Sequence, residues 1–189
     1  MTHQKNVKII AFVGLAGSGK SSAVEYLTNK GFPKVYFGGV VLQALDDAGL
    51  EHTAENEKAM REGLREREGK DVIVNRIIAQ IKSLVDAGQY RIVADGLYSW
   101  TEYKALKHAF PGELLVAAVV TPKNMRKARM AKRPIRPLTS QEIDERDWAE
   151  IENLEKGGPI AIADYFIHND KDVANLESQI DDVLRHIEF

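Results

Sequence analysis

Ile9-Ile-Ala-Phe-Val-Gly14-Leu15-Ala16-Gly17-Ser18-Gly19-Lys20-Ser21-Ser22 is an apolar, β-branched run that breaks at a glycine and passes through a glycine-rich stretch into Lys-Ser-Ser. Gly14 to Ser21 satisfies G-x-x-x-x-G-K-[ST] at every position. The flanks agree with the motif. Val7 to Val13 reads as a strand and Ser21 to Lys30 as a helix, the strand-loop-helix setting that a phosphate-binding P-loop requires. Glycines let the backbone wrap closely, successive N–H groups cradle phosphate oxygens, and the helix start adds positive potential. Gly14 to Ser22 are therefore the candidate nucleotide-binding residues. Lys20 is expected to reach the β and γ phosphates of ATP, and Ser21 to place its hydroxyl on Mg2+, an ion that takes a few oxygen ligands and keeps several waters.

Outward from this loop, short apolar runs alternate with longer amphipathic stretches, the pattern of a parallel sheet covered by helices. Strands are expected at Val7 to Val13, Lys34 to Phe37, Tyr90 to Ala94, Glu113 to Val120 and Ala163 to His168. Helices are expected at about residues 19–30, 39–48, 53–67, 70–87, 100–109, 122–132, 140–156 and 172–188. Gly31, Gly88, Gly96 and Gly157-Gly158-Pro159 fall where helices should stop or loops turn. The expectation is a single α/β domain over residues 1–189, with no internal repeat.

Composition sets the outer bounds. The 189 residues are 44% apolar, enough to bury a core, and 26 Lys and Arg face 28 Asp and Glu. The longest apolar run, Ile9 to Gly17, is nine residues, about half of a bilayer-spanning helix. The first residues lack the apolar region of a signal peptide, so the expected location is cytoplasmic, without a membrane partner. There is no cysteine, hence no disulfide framework and no thiolate metal site. The histidines (His3, His52, His108, His168, His186) show no metal-ligand spacing. A net charge of −2 gives no global attraction to nucleic acid, so any bound anion needs a local site.

One local site is suggested by charge. Residues 121–136 hold seven basic side chains and no acid (Lys123, Arg126, Lys127, Arg129, Lys132, Arg133, Arg136), whereas Glu142 to Glu155 holds seven acids and only Arg146. The two stretches are expected to pair as neighbouring helices or to screen each other when no ligand is present. A second magnesium anchor is expected at the end of a strand beside the P-loop, and Arg91-Ile-Val-Ala-Asp95-Gly96 supplies Asp95 there.

These motifs resemble the P-loop nucleoside and small-molecule kinases, a family that includes adenylate kinase, cytidylate kinase and dephospho-CoA kinase. The chain looks most similar to adenylate-kinase-related, dephospho-CoA-kinase-like proteins through Gly14 to Ser21, Leu64 to Gly69, Val93 to Gly96, Glu145-Arg-Asp147 and Ala163 to Asn169. The resemblance implies a three-layer P-loop NTPase fold with a five-stranded parallel sheet in the order 2-3-1-4-5. It also implies a helical acceptor-binding insertion at about 38–70 and a small mobile lid at about 126–147. In such a lid an Arg-x-x-x-Arg pair lies against the adenine and the phosphates, which Arg129 and Arg133 match; Arg136 or Arg146 is expected to add a third guanidinium. Asn169, after the fifth strand, would border the adenine.

The acceptor side departs from these relatives. Where adenylate-kinase-like sequences carry Gly-Asp and then an arginine, and dephospho-CoA kinases an Asp-x-Asp, this chain has Tyr36-Phe37-Gly38-Gly39. A hydroxyl acceptor must lose a proton to a base, whereas a phosphate acceptor needs mainly positioning and charge neutralisation. The missing acid favours a nucleoside monophosphate over dephospho-CoA, with Asp95 as the base in the latter case. Gly38, Gly39, Arg61, Arg65 and Tyr98 are the candidate acceptor residues; Arg61 and Arg65 are one helical turn apart. A different class, a nucleotide-binding switch or slow NTPase, stays open because the family's acceptor signals are missing.

Overall fold

The computed structural model describes residues 6–134 and 136–189, so His3 lies outside the described residues. The strands β1 (Lys8–Val13), β2 (Lys34–Tyr36), β3 (Arg91–Asp95), β4 (Leu114–Val120) and β5 (Tyr165–His168) form one parallel sheet in the order β2-β3-β1-β4-β5. This is the expected order. Each pairing needs a crossover, supplied by helices on both faces.

Period-two alternation in β1 explains the three layers. Ile9, Ala11 and Val13 enter one core, with Val40 and Val41 of α2 (Phe37–Asp47), Ile77 of α4 (Val72–Asp86) and Leu106 of α5 (Trp100–Ala109). Ile10 and Phe12 enter the other, with Val24 and Leu27 of α1 (Lys20–Asn29) and Leu176 and Ile180 of α9 (Val173–His186). A strand buried on both faces therefore reads as a continuous apolar run. Register sets Phe12 beside Asp95 and Val13 beside Ala118, so the loop after β1 leaves the sheet at its carboxyl edge, next to Asp95. Ligands of open α/β sheets bind at that edge.

The remaining helices frame it: α3 (Ala54–Glu68), α6 (Lys123–Ala131), α7 (Ser140–Glu152) and the short α8 (Gly157–Ala161). Two departures from the expected boundaries fall at the end of α7. The helix expected to run to residue 156 ends at Glu152, and Gly157-Gly158-Pro159 opens α8 instead of stopping a helix. Proline fits there because the first-turn N–H groups of a helix have no intrahelical partner. Gly158 is required by contact, since a Cβ would stand 2.6 Å from Trp100 Cε3. At α2 the helix begins directly after β2, so Gly38 and Gly39 lie in its first turn under the Tyr36 ring; a Cβ on Gly38 would meet the Tyr36 hydroxyl at 2.5 Å.

The oppositely charged stretches pair as α6 and α7. Lys123 and Lys127 both reach Asp144, at 2.6 and 2.8 Å. Arg126 makes a bidentate pair with Asp147, at 2.8 and 2.6 Å, with both side chains buried. A capping box between Thr139 and Glu142 starts α7. Met130, Ile143 and Ala16 form a small apolar cluster that seats this helical hairpin on the P-loop.

Candidate functional site

The P-loop is held from both sides. Gly17 (φ 78°) and Gly19 (φ 103°) take left-handed conformations that other residues avoid. A Cβ on Gly19 would stand 2.1 Å from Asn169 Nδ2, and one on Gly17 would stand 3.0 Å from Met130 Cγ. Arg126 Nη1 donates to the Ala16 carbonyl at 3.0 Å while the guanidinium stays paired with Asp147. From the other side, the buried Asn169 donates through Nδ2 to the Ser18 carbonyl at 2.8 Å. Arg129 donates to the Asn169 carbonyl at 3.0 Å, and Thr121 Oγ1 lies 2.9 Å from the Ser18 carbonyl and 3.0 Å from that of Asn169. Arg129 and Asn169 thus meet behind the loop, where they lock it to the turn after β5.

Two P-loop amides are engaged. Ser18 N donates to the Leu15 carbonyl at 3.1 Å and Ala16 N to Glu150 Oε2 at 3.2 Å. The N–H groups of Gly17, Gly19, Lys20 and Ser21 find no acceptor among the described residues. Four free donors in a glycine-rich turn and the first turn of α1 form an anion cradle, so the chemistry of the donor set fits nucleotide phosphates.

In front of the loop lies a cavity of about 510 Å³. Its floor is Ala16, Gly17, Lys20 and Ser21, and Asp95 closes it from β3. Gly38 and Val41 of α2, Arg61 and Arg65 of α3, and Tyr98 form the opposite wall; Arg133, Arg146, Glu150 and Lys156 come from the hairpin and its return. Gly39 and Arg136 lie outside this lining, Gly39 because it faces the Tyr36 ring. Arg133 stands two residues beyond the end of α6, so it and Arg129 do not share one helix face. The aromatic stretch after Asp95 divides: Tyr98 lines the cavity, whereas Trp100 packs on Gly158 and stacks with Tyr103 at 5.2 Å between centroids.

Burial tunes the ionisable groups. Lys20 is pulled down to about 8, first by burial and then by the nearby Lys156 ammonium. Asp95 is pushed up by burial, against the attraction of Lys34, whose Nζ lies 3.6 Å from its carboxylate. Tyr98 is raised by burial, with Lys156 Nζ 4.6 Å above its ring. Glu102 also borders the cavity, but its carboxylate is spent on the N–H groups of Tyr98 and Ser99, at 2.9 and 3.1 Å, where it caps α5. Ser21 and Asp95, a hydroxyl and a carboxylate on one cavity, are hard oxygen donors of the kind magnesium takes. Among the described residues no cluster of three acids or histidines forms a metal cage.

Four contributors escaped sequence reasoning. The buried pair Arg126–Asp147 was hidden inside the two charge runs, where nothing separates a braced residue from a solvated one. Glu150 was one acid among seven. Lys156, a lone lysine before two glycines, carried no signal at all; both it and Glu150 become visible only when α7 and α8 return to the cavity.

The strand order, the loop and this cavity define a nucleotide-binding P-loop protein with a kinase-like fold. Residues 10–156 match the family model described as "AAA domain". A UPF0200 protein of Thermococcus onnurineus (strain NA1) is 33% identical over 95% of this chain and 97% of its own. Another, of Sulfurisphaera tokodaii, is 31% identical over 96% and 98%. Among solved structures, TT1252 from Thermus thermophilus superposes with a TM-score of 0.64 at 17% identity, covering 95% of this chain and 97% of that one. Dephospho-CoA kinase from Campylobacter jejuni gives 0.57 at 16%, covering 96% and 98%, and shikimate kinase from Bacteroides thetaiotaomicron 0.59 at 11%, covering 96% and 99%. At such identities the structural likeness speaks for the fold. The chain belongs to the AAA domain family and, at the level of whole-chain similarity, to the UPF0200 proteins. Among the described residues no helix is long and apolar enough to cross a membrane.

Proposed function

We propose that the protein is an ATP- and Mg2+-dependent phosphotransferase whose acceptor is a small phosphorylated molecule, a nucleoside monophosphate by preference. One observation carries the reading: Arg61, Arg65 and Arg133 border the cavity that contains Lys20, and none has an ion-pair partner among the described residues. The fourth guanidinium of the cavity, Arg146, is matched to Glu150, and outside it those of Arg76, Arg126 and Arg185 are matched to carboxylates. Unmatched guanidiniums in a concave site suit bidentate recognition of phosphate.

In this reading the P-loop amides and Lys20 hold the donor phosphates, and Arg133 and Arg146 neutralise charge on the transferring group. Ser21 and Asp95 would hold magnesium, which when bound would offset the negative charge of the phosphates. The remaining assignments, Arg129 and Asn169 toward the adenine, and Arg61, Arg65, Gly38 and Tyr98 toward the acceptor, belong to the same proposal. A second reading, transfer to a hydroxyl as in dephospho-CoA kinase, is favoured by Asp95. Its burial raises the carboxyl toward the range of a general base.

The test is coupled ADP release from MgATP across nucleoside monophosphates, deoxynucleoside monophosphates and dephospho-CoA, with a no-acceptor control. Release that depends on a monophosphate is the expected result, and dependence on dephospho-CoA selects the second reading. Release indifferent to every acceptor would overturn both in favour of a nucleotide switch or slow NTPase.

A further inference from the structure

Glu150 and Lys156 stand in the cavity without belonging to the P-loop or to the arginine pattern of the lid. Both are buried, at 5% and 7% exposure. Glu150 Oε2 accepts from Ala16 N at 3.2 Å and lies 3.0 Å from Lys156 Nζ, while Oε1 accepts from Arg146 Nε at 3.2 Å. A P-loop amide, an ammonium and a guanidinium around one anion make the donor set of a phosphoryl group.

The position matches that chemistry. Ala16 lines the cavity that holds the acceptor-side arginines, whereas Gly14, Leu15 and Ser18 line a separate hollow on the other side of the loop. The Ala16 N–H therefore belongs to the donor phosphoryl nearest the acceptor, which is the one transferred. Burial raises the Glu150 carboxyl, but Lys156 and Arg146 outweigh it and hold the group below the usual carboxylate range, so it is an anion at neutral pH. Two anions repel at contact distance, and one N–H cannot serve both at full strength.

We propose that Glu150 is an internal place-holder for the transferable phosphoryl group, and that Lys156 is a second phosphoryl-binding lysine beside Lys20. The inference rests on the reading of the cavity as a nucleoside triphosphate site. When the nucleotide enters, Glu150 releases the Ala16 N–H, and Lys156 and Arg146 turn to the phosphoryl oxygens. No proton or bond changes hands. After transfer, Glu150 returns to the vacated donors and favours departure of the diphosphate, so the device discriminates between triphosphate and diphosphate.

Calorimetric titration of the full chain with MgADP and with a non-hydrolysable MgATP analogue, without acceptor, tests this. Charge-assisted hydrogen bonds of this kind convert to about tenfold in affinity. Glu150→Gln is expected to tighten the triphosphate analogue by about that factor and MgADP by much less. Lys156→Met, which keeps the buried stem, is expected to weaken the analogue about tenfold while MgADP changes little. An unchanged ratio of the two affinities in either variant overturns the proposal. Circular dichroism verifies folding; should Glu150→Gln not fold, Glu150→Asp, which withdraws the carboxylate by one methylene, must shift the ratio in the same direction. Wild-type protein that binds neither nucleotide overturns the nucleotide reading itself, and this inference with it.

Discussion

On the loop side of the cavity, Arg126 is 5% exposed and divides its guanidinium between Asp147 and the Ala16 carbonyl, while the Asn169 side chain ties down the Ser18 carbonyl. On the facing side, Arg61 and Arg65 project from α3, whose fifteen residues bury only Leu64, and neither makes an ion pair among the described residues. One wall is over-determined and the other is under-partnered. A P-loop must present its amides in one geometry before any ligand arrives, so its supports are buried and satisfied. On the proposed reading, the sparsely anchored α3 would close around the acceptor and gain its missing partners then.

The contrast is broken most severely by attacking the brace. Asp147→Asn leaves the buried Arg126 without a counter-charge and is expected to cost about 3–5 kcal/mol, read from urea unfolding. A cost under 1 kcal/mol would mean that the hairpin is only loosely seated. Lys20→Ala should lower acceptor-dependent turnover by about 10²- to 10³-fold, the scale of losing one positioned donor to a developing anion, with the unfolding midpoint little changed. Retained turnover would remove the P-loop from the chemistry.

On the other wall, Arg61→Ala with Arg65→Ala should raise the acceptor KM by roughly tenfold or more while the affinity for MgATP stays as it was. Equal losses for both ligands would dissolve the distinction between the walls. The smallest effect concerns pH. With Lys20 near 8 in the free protein and charged when phosphate is bound, binding above that value takes up a proton. Nucleotide affinity should therefore fall as pH rises from about 8 to 10, and calorimetry in buffers of differing ionisation enthalpy reads the proton directly. The same depression means that unfolded chains bind the proton more tightly between the folded and ordinary lysine values. Lys20 alone therefore makes stability rise across that window.

The P-loop, the five strands and their alternation with helices were legible because they are local. Ile9 to Val13 shows its two-sided burial as an unbroken apolar run, and the phosphate cradle needs glycines and Lys-Ser at set spacing within eight residues. Asp95 was legible as an acid at the end of a strand, and the charge reversal between residues 121–136 and 142–155 announced the paired hairpin. What stayed hidden was selection among like residues. Seven acids and seven bases offer many pairings, and only in the folded hairpin, with Met130 and Ile143 packed on Ala16, is Asp147 buried with Arg126 while Glu150 reaches a P-loop amide.

By itself, then, the amino-acid sequence determined the sheet order implied by its family resemblance, the loop after β1 and the side of the sheet on which a ligand must sit. The loop and the ligand's side follow from short-range backbone and burial rules that any chain with this pattern obeys, whereas the sheet order came with the resemblance. Tertiary structure alone decided which guanidiniums are spent in braces and which face the cavity, that Gly39 and Arg136 stand outside its lining, and that Glu150 and Lys156 stand inside it. The physical reason is that the worth of a charge depends on burial and on its partners. Both are set by segments more than a hundred residues apart, as Ala16 and Glu150 are.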